Sequence, residues 1–336
     1  MRLLLTGATG VVGSEVADLL ARTRPDVEVT AVSYRGSAER GIGGWAMGAE
    51  PPPAALARTR WDVVVHCGAN VRWNLTPERA WEANVRTVEA LRDVVGPSTR
   101  VVHVSTAYAT GLTGDAGSAD VADYRNTYEW SKAAAERVAD KLFGPCWIVR
   151  PPLVVGRRTD GRIARYTGIY QLIRAGVTGL APVVVGHADA QVELVAVDDV
   201  AAELVRRALG DPPGETTPVT LARGAGAPTL REVMDTGYEV VDAWRAERGI
   251  APLTRLRFVT PDSWDRFFLP MALEHLRPHQ LAVLAGMSAF RDYFETTGAF
   301  TPDIVVDPIL PVLRRCIRRW ADDHPSRAGG QPRPWR

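Results

Sequence analysis

Arg2-Leu3-Leu4-Leu5-Thr6-Gly7-Ala8-Thr9-Gly10-Val11-Val12-Gly13 opens the chain and decides how the rest is read. An apolar run ends on a glycine turn. From residue 11 to residue 22 the apolar side chains Val12, Val16, Leu19 and Leu20 then recur at helical spacing. The pattern is a buried strand, a tight turn and a helix. Glycine at the first position permits the turn. At the second it lets backbone approach a pyrophosphate at the positive end of the helix, and at the third it lets helix and strand pack closely. Thr6, Gly7, Thr9, Gly10, Val11, Val12 and Gly13 are therefore the expected phosphate cradle.

Further strands are expected at residues 27–33, 62–66, 100–104 and 146–149, alternating with helices at 77–95 and 124–143. Strand–helix alternation predicts an α/β fold: a Rossmann-type, doubly wound parallel sheet with ligands at the carboxyl ends of its strands. Residues 36–53, rich in Gly, Ala and Pro, read as loop, as do residues 157–168. Residues 192–197 read as one more strand, and Asp198 as the N-cap of a helix through Leu209. The expected domains are a dinucleotide-binding domain over 1–225, with 156–190 contributing to the substrate side, and a smaller, mainly helical substrate-binding cap over 226–322. A flexible tail over 323–336 completes the chain. Trp244, Trp264, Phe267, Phe268, Phe290, Tyr293, Phe294 and Phe300 are read mainly as the cap's core.

With 336 residues the chain is long enough for a large core, and the length prior is about two domains. Forty basic and 39 acidic residues balance to +1, which argues against a protein built to grip nucleic acid. No apolar run is long enough for a membrane span, and the N-terminal block is too short for a signal peptide. Cys67, Cys146 and Cys316 lie far apart, with no pair spaced for a disulfide framework or a metal; they predict free thiols and a cytoplasmic location.

The second strand ends Ala31-Val32-Ser33-Tyr34-Arg35-Gly36, without the acid that would accept from a ribose 2′-hydroxyl. Arg35 can pair with a 2′-phosphate and Ser33 can add a hydrogen bond, so NADP(H) is the expected cofactor. Tyr128-Glu129-Trp130-Ser131-Lys132 sets a phenol and an ammonium one helical turn apart. The chain has eight tyrosines and only two lysines, Lys132 and Lys141, so chance seldom makes such a pair. A free phenol is a poor acid–base at neutral pH, and a neighbouring ammonium lowers its pKa. Val104-Ser105-Thr106-Ala107-Tyr108, after the fourth strand, can supply a hydroxyl to hold a substrate oxygen.

Together these motifs resemble the extended short-chain dehydrogenase/reductase family. His66-Cys67-Gly68-Ala69-Asn70, Glu82-Ala83-Asn84-Val85-Arg86-Thr87, His103-Val104-Ser105-Thr106-Ala107-Tyr108, Arg150-Pro151-Pro152-Leu153-Val154-Val155-Gly156 and Val192-Glu193-Leu194-Val195-Ala196-Val197-Asp198-Asp199 resemble one branch of it. That branch holds the fatty acyl-CoA reductases and the thioester reductases that release carrier-bound acyl chains. The similarity runs over about residues 1–210. It implies Tyr128 as proton donor, Lys132 as its ribose-binding partner and Thr106 as the catalytic hydroxyl, with Ser105 the lesser candidate. It implies Pro151, Leu153 and Val154 against the nicotinamide, and Gly68 and Ala69 along the path from adenosine to ribose. For Asn84 a structural bond to a neighbouring backbone is at least as good a reading as catalysis. The implied activity is NADPH-dependent reduction of an acyl thioester to an aldehyde, or on to an alcohol, with any carrier protein acting in trans and a homodimer as the assembly. The rivals are a ketoreductase, a nucleotide-sugar epimerase or dehydratase with the same residues, and an inactive Rossmann sensor of the NADP ratio.

His66 and His103 read as packing residues at strand ends, and Cys67 as structural for want of a base beside it. Asp198 and Asp199 read as helix-capping residues, with no metal site expected. Arg314, Arg315, Arg318 and Arg319 read as a solvated helix face, with an acidic carrier protein as the alternative partner.

Overall fold

The computed structural model describes residues 1–180, 183–275, 277, 291, 293–294 and 299–331. They form two compact units, Met1–Pro152 with Val197–Ala222 and Pro302–Val306, and Leu153–Ala196 with Arg223–Thr301 and Asp307–Arg336.

The first unit is built on β1 (Arg2–Thr6), whose Leu3, Leu4 and Leu5 are wholly buried, as an all-apolar run in a parallel sheet covered on both faces must be. α1 (Val11–Thr23) follows, then β2 (Glu28–Ser33) and the two-residue β3 (Gly43–Gly44). After α2 (Ala54–Arg58) the chain returns to β4 (Val63–His66) on the other side of β1. α3 (Pro77–Asn84), α4 (Arg86–Glu89), β5 (Arg100–Val104), α5 (Thr127–Phe143) and β6 (Trp147–Arg150) complete the alternation. β1 pairs in parallel with β2 (Leu5 opposite Ala31) and with β4 (Leu5 opposite Val65). The chain reverses its direction of travel across the sheet between β1 and β4. Right-handed crossovers on the two sides of that point put α1 on one face and α3 and α5 on the other. It is the switch point at which such sheets bind ligands.

α5 is held against β6 by Arg150, whose Nε donates to Glu136 at 2.9 Å, the pair being nearly buried. Removing one partner would strand a buried charge, at about 3–5 kcal/mol. On the side of α5, Val85, Val88, Val101, Ala134, Ala135, Ala139 and Ile148 form a core cluster.

Several local expectations change. The helix expected over 77–95 breaks at Val85, because the Thr87 hydroxyl takes the Asn84 carbonyl at 3.0 Å, and it tightens into a 3-10 turn at Ala90–Asp93. α5 begins at Thr127, capped by the Asn126 side chain, which accepts from Glu129 N at 3.1 Å. Residues 36–53 are not all loop: they supply β3. The strand expected at 192–197 does not join the main sheet. Its core is β8 (Leu194–Ala196), which pairs with β7 (Leu153–Val155) in the second unit. Asp198 falls inside the first turn of α6 (Val197–Leu209) rather than before it. The main sheet instead gains a strand that sequence reading passed over, Thr217–Ala222, between β6 and Ile304–Val305, for eight strands among the described residues. Pro218, the second residue of that run, demotes it as a strand on sequence grounds.

In the second unit Leu230–Ala246 and Leu310–Asp323 are long helices packed together, with Trp244 and Trp320 each 1% exposed between them and their neighbours. Arg314 pairs with Glu239 at 2.5 Å, Arg318 with Glu247 at 2.6 Å and Arg319 with Asp323 at 3.1 Å, while Arg315 Nε donates to the Arg158 carbonyl at 2.6 Å. Arg314, Arg315 and Arg318 thus reach other segments of the unit, while the Arg319 pair lies within one helix. Trp264 and Phe294 are buried, as a core reading requires, but Phe267 is 69% exposed; Phe290 lies outside the described residues. The tail expected from residue 323 starts as structure. A short helix at Pro325–Ala328 is anchored by the buried Arg245, which donates to Ala328 O at 2.7 Å and Gly330 O at 2.9 Å; residues 332–336 lie outside the described residues.

Candidate active site

The glycine turn sits at the switch point. Gly7 has φ +67°, and a Cβ there would stand 2.6 Å from the backbone of Cys67 and Gly68, just beyond β4. A Cβ on Gly13 would stand 2.3 Å from the Gly7 carbonyl oxygen. Only glycine fits either place. Gly10 N donates to Gly7 O at 2.8 Å, and no side chain caps the N-terminus of α1, which leaves its first amide groups for a ligand. Thr9, Val11 and Val12 are half-buried in this turn. Thr6 is buried, and its Oγ1 shares a 2.7 Å hydrogen bond with His66 Nδ1, so its hydroxyl is engaged inside the protein. Gly68 is half-buried and Ala69 exposed at the mouth of the crevice. These features, a cradle closed to any Cβ and an uncapped helix end, fit a dinucleotide pyrophosphate.

At the end of β2, Ser33 is buried and its Oγ accepts from Gly36 N at 3.2 Å. Arg35 is exposed and has no ion-pair partner among the described residues.

β5 delivers Ser105 and Thr106, both buried. Ser105 Oγ has no hydrogen-bond partner among the described residues. Thr106 begins the 3-10 turn Ala107–Thr110; its Oγ1 lies 3.4 Å from Pro151 O, and its hydroxyl acts on the Tyr128 phenol. Pro151 O also accepts from Ala107 N at 2.9 Å, so Pro151 braces the turn that carries Thr106. Leu153 and Val154, expected beside the nicotinamide, belong to β7 of the second unit.

Tyr128 is half-buried in the first turn of α5, and one turn on Lys132 is buried. The phenol is pushed well above its ordinary value, by burial first and then by the neighbouring Glu129 carboxylate, with the Thr106 hydroxyl opposing. Lys132 is not among the groups acting on the phenol, so the expected lowering is not found, and burial favours the protonated form. Lys132 Nζ donates to Val104 O at 2.6 Å and lies 3.3 Å from His103 Nε2. Burial lowers it to about 8, against the pull of Glu136 and Cys67.

Asn84 is structural: its Oδ1 accepts from Asn70 N at 2.7 Å and its Nδ2 donates to Ser131 Oγ at 2.8 Å, which ties the segment after β4 to α5. Burial pushes the Cys67 thiol up to about 12, which suits a structural cysteine. His103 was set aside on sequence grounds, yet it touches Lys132. The available signal was register: the motifs Val63-Val64-Val65-His66 and Arg100-Val101-Val102-His103 align residue for residue, so the two histidines are partners on adjacent strands. Among the described residues no group of three or more His, Cys, Asp or Glu is placed to hold a metal, and no helix is long and apolar enough to cross a membrane.

Residues 48–204 match a family model described as male sterility protein, with an NAD-binding domain. Among curated proteins none matches the sequence. In fold the chain is similar to the terminal R domain of the myxalamid PKS-NRPS biosynthetic pathway, at TM-score 0.67 and 18% identity over 99% of this chain and 92% of that one. It is similar also to the PhqB reductase domain of Penicillium fellutanum (TM-score 0.64, 16% identity, 96% and 93% covered). A dTDP-glucose 4,6-dehydratase of Bacillus anthracis, in complex with NAD, shares the fold at TM-score 0.61 and 15% identity, with 97% and 98% covered. The matched segment runs from before β4 to within α6 and so takes in Thr106, Tyr128 and Lys132. Over residues 48–204, then, the chain is similar in sequence to the NAD-binding domain of the male sterility proteins, and its fold is the one shared by these reductase and dehydratase structures.

Proposed function

We propose that the chain is an NADPH-dependent reductase that releases an acyl thioester, held on CoA or on a carrier protein in trans, as an aldehyde. The observation that carries this reading is Tyr128 one helical turn from the buried Lys132, with the buried Thr106 hydroxyl acting on a phenol that burial keeps protonated. Two supports add to it. The fold is shared with terminal reductase domains, one of them joined to a thiolation domain in an archaeal non-ribosomal peptide synthetase. And Arg35, exposed at the end of a strand that lacks an acid, suits a 2′-phosphate.

A bound nicotinamide would supply the hydride. Gly7, Gly10 and Gly13 with the first turn of α1 would hold its pyrophosphate, and Lys132 its ribose. Thr106 and Tyr128 would take the substrate carbonyl oxygen between their hydroxyls and stabilise the charge that develops there as the carbonyl carbon is reduced. Tyr128 then gives its proton to that oxygen. The resulting hemithioacetal collapses: its C–S bond breaks, the hydroxyl proton leaves with the sulfur as a free thiol, and the aldehyde remains.

The test is oxidation of NADPH and of NADH, followed by absorbance, against acyl-CoAs, acyl-carrier thioesters, ketones, aldehydes and nucleotide sugars. Thioester-dependent oxidation with one thiol released per aldehyde is the expected result. Turnover of ketones alone would overturn the thioester assignment. So would conversion of a nucleotide sugar without net cofactor consumption, which is the outcome for an epimerase or dehydratase.

A further inference from the structure

Lys132 takes a positive charge to a place where 1% of its surface meets solvent, and none of the ion pairs among the described residues involves it. Two acceptors hold it instead, the Val104 carbonyl at 2.6 Å and His103 Nε2 at 3.3 Å. An ammonium has protons to give and no lone pair, so Nε2 of His103 must be the accepting nitrogen and its ring proton must sit on Nδ1. That Nδ1 is buried and has no partner among the described residues, none of which otherwise sets the tautomer. The ring is also fixed from behind. His66, opposite it in the strand register, stacks on it at 5.3 Å and 19°, and is itself locked by the 2.7 Å bond to Thr6. A chain of contacts thus runs from the last residue of β1, ahead of the glycine turn, through two imidazoles to the Lys132 ammonium.

The groups acting on this pair are few. Glu136 on α5 acts on Lys132 through space while bonded to Arg150, and Cys67 follows β4. His66 acts on His103, and Tyr128 and Glu129 lie a turn back on α5. Burial and the Lys132 charge hold both histidines far below their ordinary values, so both stay neutral throughout the working range.

We propose that His103 is the positioning residue for Lys132: as the neutral Nδ1–H tautomer it shares with the Val104 carbonyl the task of holding two Nζ protons, which leaves the third for the groups Lys132 serves. The proposal deepens the assignment of Lys132 to the active site. It also accounts for a charged side chain that has no carboxylate partner. Removing the acceptor lowers the proton affinity of the ammonium, because a hydrogen bond to a charged form favours that form.

Composition makes the test direct. With only two lysines, protein labelled with ε-13C lysine gives two signals, from Lys132 and the exposed Lys141, and the variant K141R assigns them. The lysine titration is followed by NMR in cofactor-free wild type, H103Q and H103N. Glutamine reaches far enough to put an oxygen where Nε2 stands. Asparagine is one bond shorter and cannot. The expected result is a Lys132 midpoint nearly unchanged in H103Q and lowered by about one pH unit in H103N, a tenfold loss of proton affinity. Equal midpoints in all three proteins, or equal shifts in both variants, would overturn the proposal. If H103N does not fold, H103Q decides alone: a Lys132 midpoint moved by more than about half a unit, a larger change than a retained acceptor allows, refutes it. Neither cofactor nor substrate is present, so the outcome is independent of the thioester assignment.

Discussion

Replacing Lys132 by methionine should trade stability against activity in a way that pH reveals. The ammonium is lowered from 10.5 to about 8 by burial, an interval worth about 3 kcal/mol at pH 7. Its folded value lies below its unfolded one, so the unfolded chain binds more protons between those two values. Stability therefore rises with pH across the interval, and the cost of burying the charge falls to about 1 kcal/mol by pH 9.5. Lys132→Met has no such dependence. Its lost bond to Val104 O leaves a carbonyl unpaired, at about 1–3 kcal/mol, but that loss is the same at both pH values. Urea unfolding of both proteins, followed by far-UV circular dichroism at pH 7.0 and 9.5, isolates the difference. The wild type should gain about 2 kcal/mol on the variant between the two conditions. A gap that does not change with pH would show that Lys132 is not a buried, depressed ammonium, and the electrostatic account of the site would fall with it. The variant should also be inactive.

Three further substitutions probe separate parts of the site. Tyr128→Phe should lower kcat by about 10²–10⁴ while leaving the cofactor dissociation constant within about twofold, as measured by fluorescence titration; undiminished turnover would remove the phenol from the reaction. Arg35→Ala should cut the preference for NADPH over NADH by about 10- to 100-fold, the worth of one charge-assisted contact, read as the ratio of kcat/KM for the two cofactors. An unchanged ratio would place the 2′-phosphate elsewhere. Gly13→Ala sets a Cβ 2.3 Å from the Gly7 carbonyl, where only backbone can yield. It should lower Tm by several degrees and weaken cofactor binding by about tenfold or more, and wild-type values for both would contradict the close packing of α1 on the turn.

The first strand, the glycine turn and α1 were legible from contiguous residues alone, because helical and strand periodicity and the steric freedom of glycine are local properties. The Tyr128–Lys132 pair was legible for the same reason: one helical turn relates them wherever the helix lies. The doubly wound sheet followed from alternation of these elements and the handedness of their crossovers. Folding in three dimensions settled the rest. Thr217–Ala222 entered the main sheet despite Pro218, because β6 offered it an open edge, and residues 153–196 gathered with the C-terminal helices rather than with the strands that precede them. The phenol of Tyr128 rose where its lysine neighbour argued for a fall, since burial and Glu129 raise it and the Lys132 Nζ is bonded elsewhere. His103 met Lys132 across 29 residues of chain. Ionisation and long-range contact depend on which strands lie side by side and how far water is kept out, and neither is a property of any short stretch of residues.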